Sequence, residues 1–153
     1  MLYPQVLCSL LASNASWSIL HAGLAQRLLG MNNEWPIDNG YASPGKFKKF
    51  AEDHPREYES LFANLDKVLG ILREGSKMGS FQIGFFRSEG EGVFRIGQTG
   101  VESAKESRLY IYPDQKNQIM YILGIGTKDH QSEDINGAKA TANEIKKQTT
   151  GAQ

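Results

Sequence analysis

The sequence predicts an α+β domain in which N-terminal helices pack on one face of a small antiparallel sheet of about four strands, closed by a C-terminal helix. Three observations predict it. Apolar residues between Pro55 and Arg73 recur at helical spacing. After Gly75 come four short runs rich in β-branched and aromatic residues, separated by Gly-, Ser- and Asp-rich turns. A last stretch with Ile135, Ala138, Ala142 and Ile145 on one side then follows. Helices first, then a meander, then one helix is the order of a sheet with segregated helices rather than of alternating βαβ units.

Composition sets the bounds. At 153 residues the chain is one domain's length, long enough to bury a real core. Forty per cent apolar and 22 per cent charged residues describe a globular chain rather than a disordered or fibrous one. Lys plus Arg equals Asp plus Glu at 17 each, so no global basic field draws in nucleic acid. The single cysteine, Cys8, leaves no intramolecular disulfide and no Cys-based zinc site, which suits a reducing cytoplasm, the expected location.

The elements follow in order. "VLCSLLASNASWSILHAGLAQRLLG" (6–30) has apolar runs, but no Lys or Arg precedes Arg27, so it lacks the charged start of a secretory signal. Ser13, Asn14, Ser16, Ser18 and His21 interrupt it, which excludes a membrane span. Leu10, Ala15, Trp17, Leu20, Leu24 and Leu28 fit one side of an accessory helix, and Met31 offers an alternative start. "NNEWPIDNGYASPG" (32–45) reads as a connector, so residues 1–43 form an accessory segment and residues 44–150 the main domain. Ser43 and Pro44 open a short helix with Phe47, Phe50 and Ala51. After Pro55, the residues Tyr58, Leu61, Phe62, Leu65, Val68, Leu69 and Leu72 make one buried stripe, stopped by Gly75. Strands are expected at 80–86, 92–98, 107–113 and 118–126, the last two joined by the short turn "PDQKN". Ser132 is the expected cap of the closing helix.

Strand alternation sorts the side chains. Phe94, Ile96, Leu109 and Ile111 face one way; Arg95, Arg108, Tyr110 and Tyr112 face the other. If the first set meets the long helix, the second lines an uncovered face, with Lys128 and His130 at its rim. Guanidiniums, an ammonium, an imidazole and phenols together make a phosphate-binding set that needs no metal or cofactor. A plain reading stands beside this one, because Arg and Tyr suit any solvated sheet face and His130 any exposed loop. Glu89 and Glu91 are either an acid–base pair or solvent-facing turn acids, and Asp129, Glu133 and Asp134 read as charges favouring a helix N-terminus. "GIGTK" lacks the spacing of a phosphate loop.

The long helix, then "SEGEGVFRIG", then "RLYIYPDQKNQIMYILGIGTKDHQSEDINGAK", resembles the RelE/HigB-like superfamily of small toxin ribonucleases, nearest to its phage-derived, Gp49-like branch. Arg95 matches the arginine of the first strand motif, Arg108 the strand-opening arginine, and Lys128 the lysine after the apolar strand. Ile135 and Ala138 match the start of the closing helix. Phe94 stands where the family commonly has Glu, Lys128-Asp129 replaces a lysine pair, and family members are generally basic. The resemblance spans roughly residues 44–147.

It implies a toxin of a type II toxin–antitoxin system, carried on a mobile element, that cuts mRNA on the ribosome without a metal. The ribose 2′-OH attacks the adjacent phosphorus and leaves a cyclic phosphate. Arg95 and Arg108 would clamp phosphate, Lys128 would add a point charge, and His130 would be the general acid or base. Tyr110, Tyr112 and Arg87 would bind RNA, with Tyr110 or Tyr112 stacking on a base. The implied partners are a helix-turn-helix antitoxin, mRNA and the ribosome, with no membrane. The alternatives are an inactive RelE-like module that binds a protein and a structural or mobile-element protein in which residues 1–30 mediate self-association as a homodimer.

Overall fold

The computed structural model describes residues 34–151 apart from residue 103. The chain divides into two units, residues 1–34 and 35–153, and the account below concerns the second. The accessory helix expected within residues 1–30 lies outside the described residues.

The connector contributes more than a link. Trp35 is 1% exposed in the core, and Ile37–Asp38 forms a short strand, β1. Helices α1 (Pro44–Asp53) and α2 (Pro55–Arg73) follow. His54 closes one and opens the other: its N–H donates to the Phe50 carbonyl, and its own carbonyl accepts from Tyr58 N–H. Pro55 has no N–H to continue α1, but its fixed φ suits the first turn of α2. The predicted stripe holds, with Leu61, Leu65, Val68, Leu69 and Leu72 all buried. Gly75 ends α2 at φ 97°, where its N–H donates to the Leu72 carbonyl.

Four antiparallel strands form the meander: β2 (Phe86–Gly90), β3 (Val93–Gly97), β4 (Ser107–Asp114) and β5 (Ile119–Thr127). With β1 parallel to β5, the sheet has five strands in the order β1-β5-β4-β3-β2 and is mixed rather than purely antiparallel. The missed strand is only two residues long, too short for any alternation to mark. A 3-10 turn, Lys128–His130, leads into α3 (Gln131–Gly151). Ser132 therefore sits inside the first turn of α3 and does not cap it.

The first expected strand is displaced. Residues 80–85 turn instead, with Ser80 N–H donating to the Lys77 carbonyl and Phe86 N–H to the Ile83 carbonyl. Phe81 folds back to stack on Phe86 at 5.6 Å, so the apolar run packs on the core by clustering rather than by alternation. Pairing begins at Phe86 and runs through "SEG", which the sequence suggested was a turn. The turn is tighter, at Gly90-Glu91-Gly92, where φ values of 89°, 56° and 83° favour glycine at two of three positions.

The sheet is covered on both faces, not one. On the first, α2 meets Phe86, Ile96, Leu109, Ile111, Ile122 and Ile125. On the second, Ala138, Ala142 and Ile145 of α3 cover Val93, Tyr110, Tyr121 and Leu123. The face expected to be open is therefore roofed over much of its length. A register shift in β5 between the partners of Tyr110 and Ile111 lets Leu123 join this second face without breaking the alternation of β4. No helix of the described residues is long and apolar enough to cross a membrane.

Candidate functional site

The register keeps the sorting of side chains intact. Arg87 pairs with Arg95, Arg95 with Tyr110, and Gly97 with Arg108, so all three arginines project from the second face. What α3 leaves uncovered is one end of that face. There a cleft of about 220 Å³ is lined by Arg87, Arg95, Arg108, Gln98, Glu106 and Ser107. Three guanidiniums on three adjacent strands thus converge on one concavity.

Each arginine sits in a different electrostatic setting. Arg87 is exposed and pairs with no carboxylate among the described residues. Arg95 is half-buried, its Nε 2.9 Å from Glu89 Oε1. Arg108 is buried, with 7% of its side chain exposed, and its Nη2 donates to Glu106 Oε1. Nε and Nη1 of Arg108 are buried without a hydrogen-bond partner. A buried guanidinium with donors to spare is an anion-seeking group, because the desolvated charge is only partly offset by one exposed carboxylate.

Lys128 stands at the cleft's edge. Its backbone N–H donates to the Glu106 carbonyl, and its Nζ lies 2.9 Å from Glu106 Oε2. Asp129 is engaged with Lys105 at 2.5 Å, and that hydrogen bond holds its carboxyl below the usual range. His130 is exposed at the same turn, with Nδ1 4.0 Å from Glu133 Oε2. His130 is therefore at the rim, outside the residues that line the cleft.

The tyrosines do not offer free ring faces. Tyr110 is fully buried beneath α3; burial pushes its phenol up, the Asp134 and Glu89 carboxylates add to that, and Arg95 opposes it. Tyr112 is half-buried between Tyr121, stacked at 5.9 Å, and the Lys146 ammonium, 5.3 Å from its ring centre. α3 takes the surface that both rings share, so neither has a free face for the stacking expected of Tyr110 or Tyr112. Glu89 is the ion partner of Arg95, while Glu91 sits on the hairpin with its carboxylate bonded by Asn143.

Asp134 does more than favour a helix N-terminus. Oδ1 accepts from Lys46 Nζ at 2.8 Å, and the carboxylate lies over Gly126, where a Cβ would fall 2.1 Å from Oδ2. That contact accounts for one glycine of "GIGTK". Glu106, Gln98 and Ser107 were not singled out in the sequence. The available signal was the two-residue spacing of Glu106 and Arg108, which puts both on one side of an extended segment.

Comparisons of this chain with protein-family models, with curated proteins and with solved structures find no match.

Proposed function

We propose that this chain is an RNA-directed toxin of the RelE/HigB-like kind, a metal-independent endoribonuclease that holds an mRNA phosphodiester in the arginine cleft. The observation that carries the reading is the convergence of Arg87, Arg95 and Arg108 from three adjacent strands on one cleft. Guanidiniums suit phosphate because their forked donors meet its oxygens two at a time. In this reading Arg95 and Arg108 stabilise the charge that grows on phosphorus as the 2′-OH attacks, Lys128 adds a point charge beside Arg108, and Arg87 anchors a neighbouring phosphate. His130, whose unperturbed pKa lies near neutrality, exchanges a proton from the rim. The products are a 2′,3′-cyclic phosphate and a free 5′-OH.

One observation favours a second reading, in which the cleft binds RNA or a partner without cutting. Glu106 in its lining and Glu89 beside Arg95 are both engaged with cations, and the imidazole lies outside the lining. The deciding experiment incubates the full chain and its Arg87→Ala and Arg95→Ala variants with mRNA on purified ribosomes. The expected result is cleavage by the wild type with cyclic-phosphate ends, reduced at least about tenfold in each variant, as the loss of one charge-assisted contact implies. Binding without cleavage selects the second reading, and neither binding nor cleavage rejects both. In cells, an antitoxin encoded beside this chain should relieve the growth arrest that its expression causes.

A further inference from the structure

The geometry at Arg108 points to how the cleft is kept from binding indiscriminately. An arginine offers an oxyanion two bidentate edges, Nε with Nη2 and Nη1 with Nη2. Both edges contain Nη2, and Nη2 is the atom that Glu106 Oε1 occupies. Nε and Nη1 are left buried and unpartnered. Oε1 therefore takes one of the two N–H groups of Nη2 and with it one fork, while the other fork ends in a donor that is itself buried. The second oxygen of the same carboxylate, Oε2, lies 2.9 Å from Lys128 Nζ. Glu106 thus bridges Arg108 and Lys128 with its two oxygens, much as the two non-bridging oxygens of a phosphodiester would.

We infer that Glu106 is an intramolecular stand-in for phosphate, and that an RNA phosphodiester reaches Arg108 only by displacing it. This rests on the reading of the cleft as an RNA site. Two further observations suit a displaceable group. Glu106 is 53% exposed while Arg108 is buried, so the carboxylate moves into water at little cost whereas the guanidinium cannot follow. Glu106 also sits just ahead of β4, its carbonyl held by the Lys128 N–H, so its side chain swings while its backbone stays in place. In the resting protein it keeps a desolvated charge compensated. When RNA binds, its phosphate supplies that compensation and the carboxylate leaves. The consequence is selectivity: a weak, singly charged anion gains too little to evict Glu106, whereas a polyanion anchored also at Arg87 does.

The test titrates the full-length wild type, Glu106→Gln and Arg87→Ala with a short single-stranded RNA and with inorganic phosphate. Removing the competing charge should tighten both ligands about tenfold in Glu106→Gln, the worth of one hydrogen bond to a charged group. Equal or weaker binding by Glu106→Gln, with Arg87→Ala still weakened, overturns the stand-in and leaves the RNA site. No RNA binding by any form, with no difference at Arg87→Ala, removes the site itself. Should Glu106→Gln prove unfolded by its melting curve, NMR of the wild type decides: the Glu106 carboxyl and the Arg108 Nε–H resonances should shift together as RNA is added. A Glu106 resonance unmoved at saturating RNA overturns the inference.

Discussion

Four buried polar atoms lack a hydrogen-bond partner among the described residues: Nε and Nη1 of Arg108, the Tyr110 hydroxyl and Oδ2 of Asp134. Arg108 and Tyr110 share the sheet face that carries α3, and Asp134 leans onto that face from α3 itself. An unpaired buried hydroxyl costs about 1–3 kcal/mol, so its removal should help rather than harm. Tyr110→Phe is therefore expected to raise stability at neutral pH by about 1 kcal/mol in urea denaturation. Its pH dependence has a definite sign. The folded state holds the Tyr110 proton above its ordinary pKa of 10.0, where the unfolded chain loses it. The native state then binds more protons than the unfolded one, so stability is intact below about pH 10 and falls as pH rises further. Tyr112 and Tyr121 shift in the same direction, chiefly through burial, and share in the fall. Tyr110→Phe should flatten it, and an unchanged slope would remove Tyr110 from the account.

The two helices that sandwich the sheet hold it differently. α2 contributes five buried aliphatics in one stripe, and Leu65, 1% exposed, sits in its middle. Leu65→Ala should cost about 2–5 kcal/mol by opening a cavity the core cannot close. α3 buries only Ala138, Ala142 and Ile145, a thin apolar face by comparison. Its seat depends on shape as much as on area, because Gly126 leaves room for Asp134. Gly126→Ala should destabilise by about 1–3 kcal/mol through overpacking. In Gly126→Ala/Asp134→Ala much of that cost should vanish, so a double-mutant cycle with additive effects would refute the contact. The limits of α2 were legible in the sequence because helical periodicity, Pro55 and Gly75 all act within a few residues. The start of β2 was not, since Phe81 and Phe86 stack through a turn that no alternation pattern encodes.

Seen as a molecule, the chain gathers three guanidiniums in one cleft without being basic. Lys plus Arg and Asp plus Glu are equal at 17, and Arg95, Arg108 and Lys128 each have a carboxylate at hand. RNA binding should then depend on a few local contacts rather than on a long-range field. With two phosphates met, one by Arg95 and Arg108 and one by Arg87, the affinity should fall with a logarithmic salt slope of about −1.4, given about −0.7 per phosphate on a single strand. Affinity measured across a potassium chloride series checks this. A slope near zero would deny the phosphate contacts, and one several times steeper would require basic residues beyond the cleft.

Alternation along β3 and β4 was enough to put Arg95, Arg108, Tyr110 and Tyr112 on one side, since it follows from the covalent geometry of an extended chain. The same is true of the α2 stripe, whose spacing is local and repeats without reference to the rest of the molecule. What occupies the far side of a strand is not local. α3 lies on the arginine-bearing face because Val93, Tyr110, Tyr121 and Leu123 give its small residues a seat, a match between segments far apart in the chain. That docking buried Tyr110, half-buried Tyr112 and left the arginines at one end, while the pairing of β4 with β5 brings Glu106 to bridge Arg108 and Lys128. Which side chains share a face is a property of each strand; which of them reach solvent depends on the partner that the whole fold delivers to it.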